Sequence, residues 1–171
     1  EGECEGEVSG KFRHEAAGSA DFPAVGDWAA VRTVAGGRAV IEALLPRRSA
    51  FTRKAAGEAV EAQVVAANVD TVFLVSGLDG DFNLRRIERY VTTAWSSGAA
   101  PVLVLNKTDL RTDLPDVVAA AEAVAPGVPV VTTSAIGAGG RDGLAPYLVA
   151  GKTVALLGSS GVGKSYRKSC V

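Results

Sequence analysis

Cysteine and histidine are scarce in this 171-residue chain. Cys4 and Cys170 stand near opposite ends and His14 is the only histidine. Neither cysteine has metal-ligand spacing, so the sequence predicts free thiols in a reducing cytoplasm, and a histidine with a surface or structural role. Long apolar runs are missing too. None approaches the roughly 18 residues of a membrane span, and the acidic start, with Glu1, Glu3, Glu5 and Glu7, does not read as a secretory leader. Charge of one sign is not in excess. A net charge of −1 gives no global pull toward nucleic acid, so any RNA contact must come from local clustering. What remains is 47% hydrophobic and 22% charged, which predicts a soluble globular protein of one or two domains with a real core.

Against this background one stretch carries chemistry at every defined position. Gly158-Ser159-Ser160-Gly161-Val162-Gly163-Lys164-Ser165 satisfies the phosphate-loop pattern G-x-x-x-x-G-K-[ST]. It follows an apolar run, Thr153 to Leu157, that reads as a buried strand. The glycines let backbone amides converge on phosphate oxygens where a helix should begin. Lys164 would supply positive charge to the outer phosphates and to a transition state. Ser165 would offer its hydroxyl to Mg²⁺.

Upstream, the chain falls into two regions. From Val8 to about Gly57, short apolar runs such as Trp28 to Val31 and Ala39 to Ile41 alternate with turn residues, which predicts a small all-β module with a barrel as its closure. We place this module at residues 1–58. Its tail brings Arg47, Arg48, Arg53 and Lys54 around Phe51. Four cations and one aromatic suit a strand of RNA, by phosphate neutralisation and stacking. The same composition also suits a solvated basic linker with Phe51 in the core.

Residues 59–171 change character. A helix-compatible or extended join through Ala59 to Ala67 leads to strands at Thr71 to Val75, Val102 to Leu105, Val128 to Thr132 and Thr153 to Leu157. Between them the sequence predicts a helix with Leu84, Ile87, Val91, Ala94 and Trp95 on one face, capped by Asp81 or Asn83 and stopped by Gly98. A second helix is expected from about Asp113 to Ala125 and a short one near Asp142 to Val149. Repeated βα units argue for a mostly parallel sheet with helices on both faces, an α/β fold whose ligands bind beyond the carboxyl ends of the strands.

Two of those carboxyl ends fit a purine. Asn106-Lys107-Thr108-Asp109 is an N-K-x-D tetrad, in which the Asp109 carboxylate can accept from both the ring N–H and the exocyclic amine of guanine. Adenine presents neither in that arrangement. Asn106 can fix the loop, and the stem of Lys107 can lie over the ring. After the next strand, Ser134-Ala135 and the glycines behind them can present backbone amides to the guanine carbonyl oxygen.

The running order, N-K-x-D, then Ser-Ala, then phosphate loop, is that of a circularly permuted GTPase. Together with Asp21 to Trp28, Ala66 to Asp70 and Asp81 to Tyr90, it resembles the small-ribosomal-subunit-dependent GTPase family. The resemblance runs from about Val8 to Ser165. It implies an oligonucleotide-binding (OB) barrel on ribosomal RNA, GTP or GDP with Mg²⁺, stimulation by the small subunit, a monomeric cytoplasmic protein, and a zinc-bearing C-terminal domain whose ligands this sequence does not contain. No D-x-x-G or switch segment occurs either, and Tyr166 to Val171 departs from the family pattern. We therefore expect a truncated or frameshifted piece with an apolar edge at Thr153 to Leu157. By the same resemblance the intact protein would bind and hydrolyse GTP as a late assembly factor of the small ribosomal subunit, whereas the piece alone would act as an RNA- and guanine-nucleotide-binding module, or be inactive.

Overall fold

The computed structural model describes residues 2–54, 62–134 and 142–165, with the side chain of Lys54 outside that description. By its internal contacts the chain divides into two compact units, Glu1–Asn68 and Val69–Val171.

The first unit holds two small sheets. Strands β1 (Gly6–Val8), β2 (Ala29–Thr33) and β3 (Ala39–Leu44) pair in the order β1-β3-β2, while β4 (Ala50–Lys54) pairs antiparallel with β5 (Ala62–Ala67). Among the described residues no ladder joins the two sheets, so the expected barrel is represented here by a three-stranded and a two-stranded ribbon. Strand β5 occupies residues 62–67 of the join expected from Ala59 to Ala67, and there the extended alternative is the observed one, the first three residues lying outside the described ones. A short helix, α1 (Gly10–Glu15), interrupts what reads from the sequence as strands. Its cause is local: Ser9 Oγ accepts from Phe12 N at 3.0 Å, and the Phe12 ring meets the edge of Phe22 at 6.0 Å between centroids.

The second unit is a four-stranded parallel sheet. It is built from β6 (Thr71–Gly77), β7 (Ala100–Asn106), β8 (Val130–Thr132) and β9 (Val154–Leu157) in the order β8-β7-β6-β9. The apolar runs explain the arrangement, because a strand covered on both faces has no need of polar alternation. From Pro101 to Asn106, β7 is buried at every residue and is accordingly central. Helices α2 (Leu84–Ser97) and α3 (Leu114–Val124) connect β6 to β7 and β7 to β8. The start of α2 is fixed by Asn83, whose side chain accepts from Arg86 N at 3.0 Å, and its end by Gly98 in the left-handed region.

Ile87, Val91 and Ala94 bury the α2 stripe, but Trp95 is 56% exposed. At about 100° per residue Trp95 sits roughly 80° round the helix from Ile87, on the flank of the stripe. The segment expected as a helix near Asp142 to Val149 is a 3₁₀ turn, Asp142–Tyr147, because Pro146 within it has no N–H to donate.

One face of the sheet gathers Phe73, Val75, Val102 and Val104 with Val162, against Leu144 and Tyr147 of that 3₁₀ turn. The alternate residues Val72, Leu74, Leu103 and Leu105 are buried toward the opposite face, where α2 packs on β6 and β7. After β8 the chain crosses back to the far side of β6, so β9 pairs with β6 alone among the described residues. That reversal of strand order opens a crevice at the carboxyl ends, and the segment after β9 enters it. Leu156 is exposed on this edge strand, in line with the apolar edge expected there. The departure at 166–171 lies outside the described residues.

Candidate functional site

The phosphate loop starts where β9 ends and is fitted to the sheet at three points. Gly158 passes so close to β6 that a Cβ on it would stand 2.4 Å from the Val75 carbonyl oxygen. Gly163 has φ +100°, and a Cβ there would stand 2.2 Å from Asn106 Nδ2, so neither position tolerates a side chain. Between them Val162 turns inward, 1% exposed, and joins the apolar cluster on Phe73 and Val104. Lys164 Nζ donates to the carbonyls of Gly158 and Ser159 at 2.7 and 2.5 Å, which holds its charge at the start of the loop. Ser160, Gly161 and Ser165 are exposed.

The Asn106-Lys107-Thr108-Asp109 tetrad lies on the same rim. Asn106 ends β7 with a side chain that is 5% exposed and used at both ends. Its Nδ2 donates to the Val162 carbonyl at 2.8 Å, and its Oδ1 accepts from Thr133 Oγ1 at 3.1 Å. One amide thus ties together the phosphate loop, the end of β7 and the segment after β8. The backbone repeats the link, since Thr133 N donates to Leu105 O at 2.8 Å and Thr108 N to Thr133 O at 3.2 Å. Ser134 Oγ donates to Asp109 Oδ1 at 2.5 Å, so the carboxylate is oriented by one oxygen and can accept through the other. Ala135, expected beside Ser134, lies outside the described residues.

Lys107 takes the left-handed conformation, φ 66° and ψ 40°, and its ammonium pairs with the carboxylate of Asp79 just beyond β6. This hydrogen bond, with a further one from the Asp81 amide, holds the Asp79 carboxyl below its ordinary range. Sequence reasoning gave Asp79 no role. Asp81, offered from the sequence as an alternative helix cap, and Arg86, quoted for a family pattern, form an ion pair, and Arg86 Nη1 also donates to Ser159 Oγ at 2.7 Å. The available signal was position, because Asp79 follows a strand whose carboxyl end faces the crevice.

In the N-terminal unit the basic segment divides. The guanidinium of Arg47 forms a fork with Asp27, Nε to Oδ1 at 2.8 Å and Nη2 to Oδ2 at 2.7 Å, and also caps the carbonyls of Ala20 and Phe22. Its side chain is 19% exposed and that of Asp27 only 3%, so Arg47 is spent inside the fold and corrects its reading as a phosphate contact. Hydrogen bonding from Arg47 is the main cause of the lowered Asp27 pKa. Phe51 is 9% exposed and belongs to the core, which removes it as a stacking face. Arg48 and Arg53 are exposed, with Arg53 donating to Gln63 Oε1 at 3.1 to 3.2 Å.

Residues 44–166 match the family model described as RsgA GTPase. The chain belongs to the RsgA GTPase family. Among its RsgA relatives, the small ribosomal subunit biogenesis GTPase RsgA of Opitutus terrae is 54% identical over 173 residues, covering 96% of this chain and 47% of that protein. The small ribosomal subunit biogenesis GTPase RsgA 2 of Lactiplantibacillus plantarum is 49% identical over 164 residues, 96% of this chain and 46% of its own. In structure, YjeQ from Thermotoga maritima superposes with a TM-score of 0.73 at 31% identity, covering 94% of this chain and 53% of that one. YloQ, described as a circularly permuted GTPase, shares the fold with a TM-score of 0.64 at 23% identity, over 94% and 52% of the two chains. The chain spans about half the length of the curated relatives it matches.

Membership of the RsgA family implies GTP or GDP with Mg²⁺, and the donor chemistry present suits that ion. Mg²⁺ takes oxygen ligands and keeps several waters, so the exposed hydroxyl of Ser165 has the right chemistry to supply one ligand beside phosphate oxygens. Among the described residues no group of three or more His, Cys, Asp or Glu could hold a metal, and no helix is long and apolar enough to cross a membrane.

Proposed function

We propose that this chain carries the guanine-nucleotide site of a GTPase that acts in late assembly of the small ribosomal subunit, in the cytoplasm and as a monomer. Asp109 reads the purine, Asn106 and Lys107 fix and cover it, and Ser134 with Ala135 lies at its carbonyl edge. Gly158 to Gly163 cradle the phosphates, Lys164 meets their charge, and Ser165 holds Mg²⁺, which screens the phosphate oxygens when bound. Hydrolysis of the terminal phosphate is proposed for the whole protein, twice as long in its relatives as this chain. We assign residues 1–58 to an OB-like module that meets ribosomal RNA through Arg48, Arg53 and Lys54, and 59–171 to the permuted GTPase domain.

The observation that supports this reading is the Asn106 side chain. It donates to Val162 in the phosphate loop and accepts from Thr133 beside the base-reading loop, so base and phosphate groups share one crevice. A pocket that reads guanine should distinguish GDP from ADP by at least the two hydrogen bonds to Asp109, each about 1.5 to 3 kcal/mol. Isothermal calorimetry of the chain with GDP and ADP in Mg²⁺ buffer measures this, and equal heats for the two nucleotides would refute the assignment.

A further inference from the structure

The nucleotide reading leaves α2 without a part in the site, yet one residue of its first turn reaches the phosphate loop. Arg86 is the third residue of the helix. Its backbone is fixed by the Asn83 cap, and its guanidinium is held by the carboxylate of Asp81. From there Nη1 donates to Ser159 Oγ at 2.7 Å, across 73 residues of sequence. Its neighbours Arg85 and Arg89 are exposed, whereas the Arg86 side chain is partly buried. A helix-start ion pair with Asp81 would need no contact with Ser159, so the added bond calls for its own explanation.

Ser159 is gripped at two ends. Its hydroxyl accepts from Arg86, and its carbonyl accepts from Lys164 Nζ, the ammonium that the site offers to phosphate. Freeing the hydroxyl would let the Ser159 peptide turn and would loosen the seat of Lys164. The guanidinium also adds a second positive charge at the loop, held there by Asp81.

We propose that Arg86, aimed by Asp81, is a positioning residue of the phosphate loop and acts on the nucleotide's diphosphate through Ser159. This rests on the nucleotide reading above and adds to it the element that sets the loop. The effect must grow with phosphate number, because beyond Asp81 the Arg86 side chain meets only the phosphate loop among the described residues, while the link from Asp81 to Asp79 and Lys107 runs through the Asp81 backbone amide, which a change at residue 86 or 159 leaves in place.

The test is calorimetry of the 171-residue chain and its variants with GDP and GMP, with thermal melts alongside. Arg86→Met is expected to weaken GDP about tenfold, the loss of one hydrogen bond to a charged group, and to change GMP by less than about twofold. Ser159→Ala should do the same. The double variant should lose no more than either single one, as expected for two partners of one bond. Arg86→Lys should recover part of the loss, since one ammonium can donate to both Asp81 and Ser159, as Nη1 does, but on a shorter side chain. Equal losses for GDP and GMP, or no loss in a folded Ser159→Ala, would overturn the proposal. Should Arg86→Met fail to fold, Ser159→Ala decides alone. A wild-type chain that prefers GDP to ADP while the variants keep its GDP-to-GMP ratio sinks only this inference, and a wild type without that preference sinks the nucleotide reading beneath it.

Discussion

Replacing Asn106 by aspartate changes one atom and no volume, which makes it the sharpest probe of the joint between base and phosphate loops. The Thr133 hydroxyl can still donate to one carboxylate oxygen, but the other now faces the Val162 carbonyl, where Nδ2 stood at 2.8 Å. Losing that hydrogen bond costs about 1 kcal/mol, and leaving a buried carbonyl without its donor costs about 1 to 3 kcal/mol more. At 5% exposure the new carboxylate is also poorly hydrated, which pushes its pKa above the ordinary aspartate value of about 4. The sum is roughly 3 kcal/mol of lost stability at pH 7. Because the folded-state pKa is raised, the ionisation penalty is present in full above that value and fades as the pH falls toward the unfolded one. A protonated acid can also donate to Val162. Urea melts of wild type and Asn106→Asp at pH 7 and pH 5 therefore should show a gap that narrows at the lower pH. A gap under about 1 kcal/mol at pH 7, or one independent of pH, would mean that the Asn106–Val162 bond does not hold the loops together.

Asp109→Asn should reverse the base preference. The amide offers an N–H to the second carbonyl of xanthine and no longer accepts from both guanine donors. Binding of GDP should fall by about 30-fold or more and that of XDP should rise, as read by competition against a fluorescent nucleotide. Arg47→Met leaves the Asp27 carboxylate buried without its partner, and should cost about 3 to 5 kcal/mol in the N-terminal unit. Asp27 has a depressed folded pKa, so the stability it contributes is present above about pH 4 and lost as the pH falls through the lower folded value. Acid titration of the variant by circular dichroism should accordingly lack this part of the wild-type transition.

The strands of the second unit and the limits of α2 were legible because each rests on local chemistry. A short apolar β-branched run between turn residues favours a strand, Asn83 or Asp81 with Gly98 brackets a helix, and G-x-x-x-x-G-K-S specifies a backbone path through its glycines. The basic segment was only partly legible for the converse reason. Composition cannot tell a cation that meets solvent from one that meets a carboxylate twenty residues away, so Arg47 read as surface and is interior, and of the two readings open for Phe51 the core one holds.

Running order belongs to the sequence: it alone puts the N-K-x-D tetrad before the phosphate loop, which is the permuted order. Tertiary structure decided which distant groups complete the site. Asn106 with Val162, Lys107 with Asp79 and Arg86 with Ser159 are separated by 28 to 73 residues, and no periodicity encodes such pairs. Lys107 meets Asp79 because β7 pairs with β6, and the other two pairs meet because β9 crosses back beside β6; both placements depend on the fit of whole faces of the sheet against what covers them.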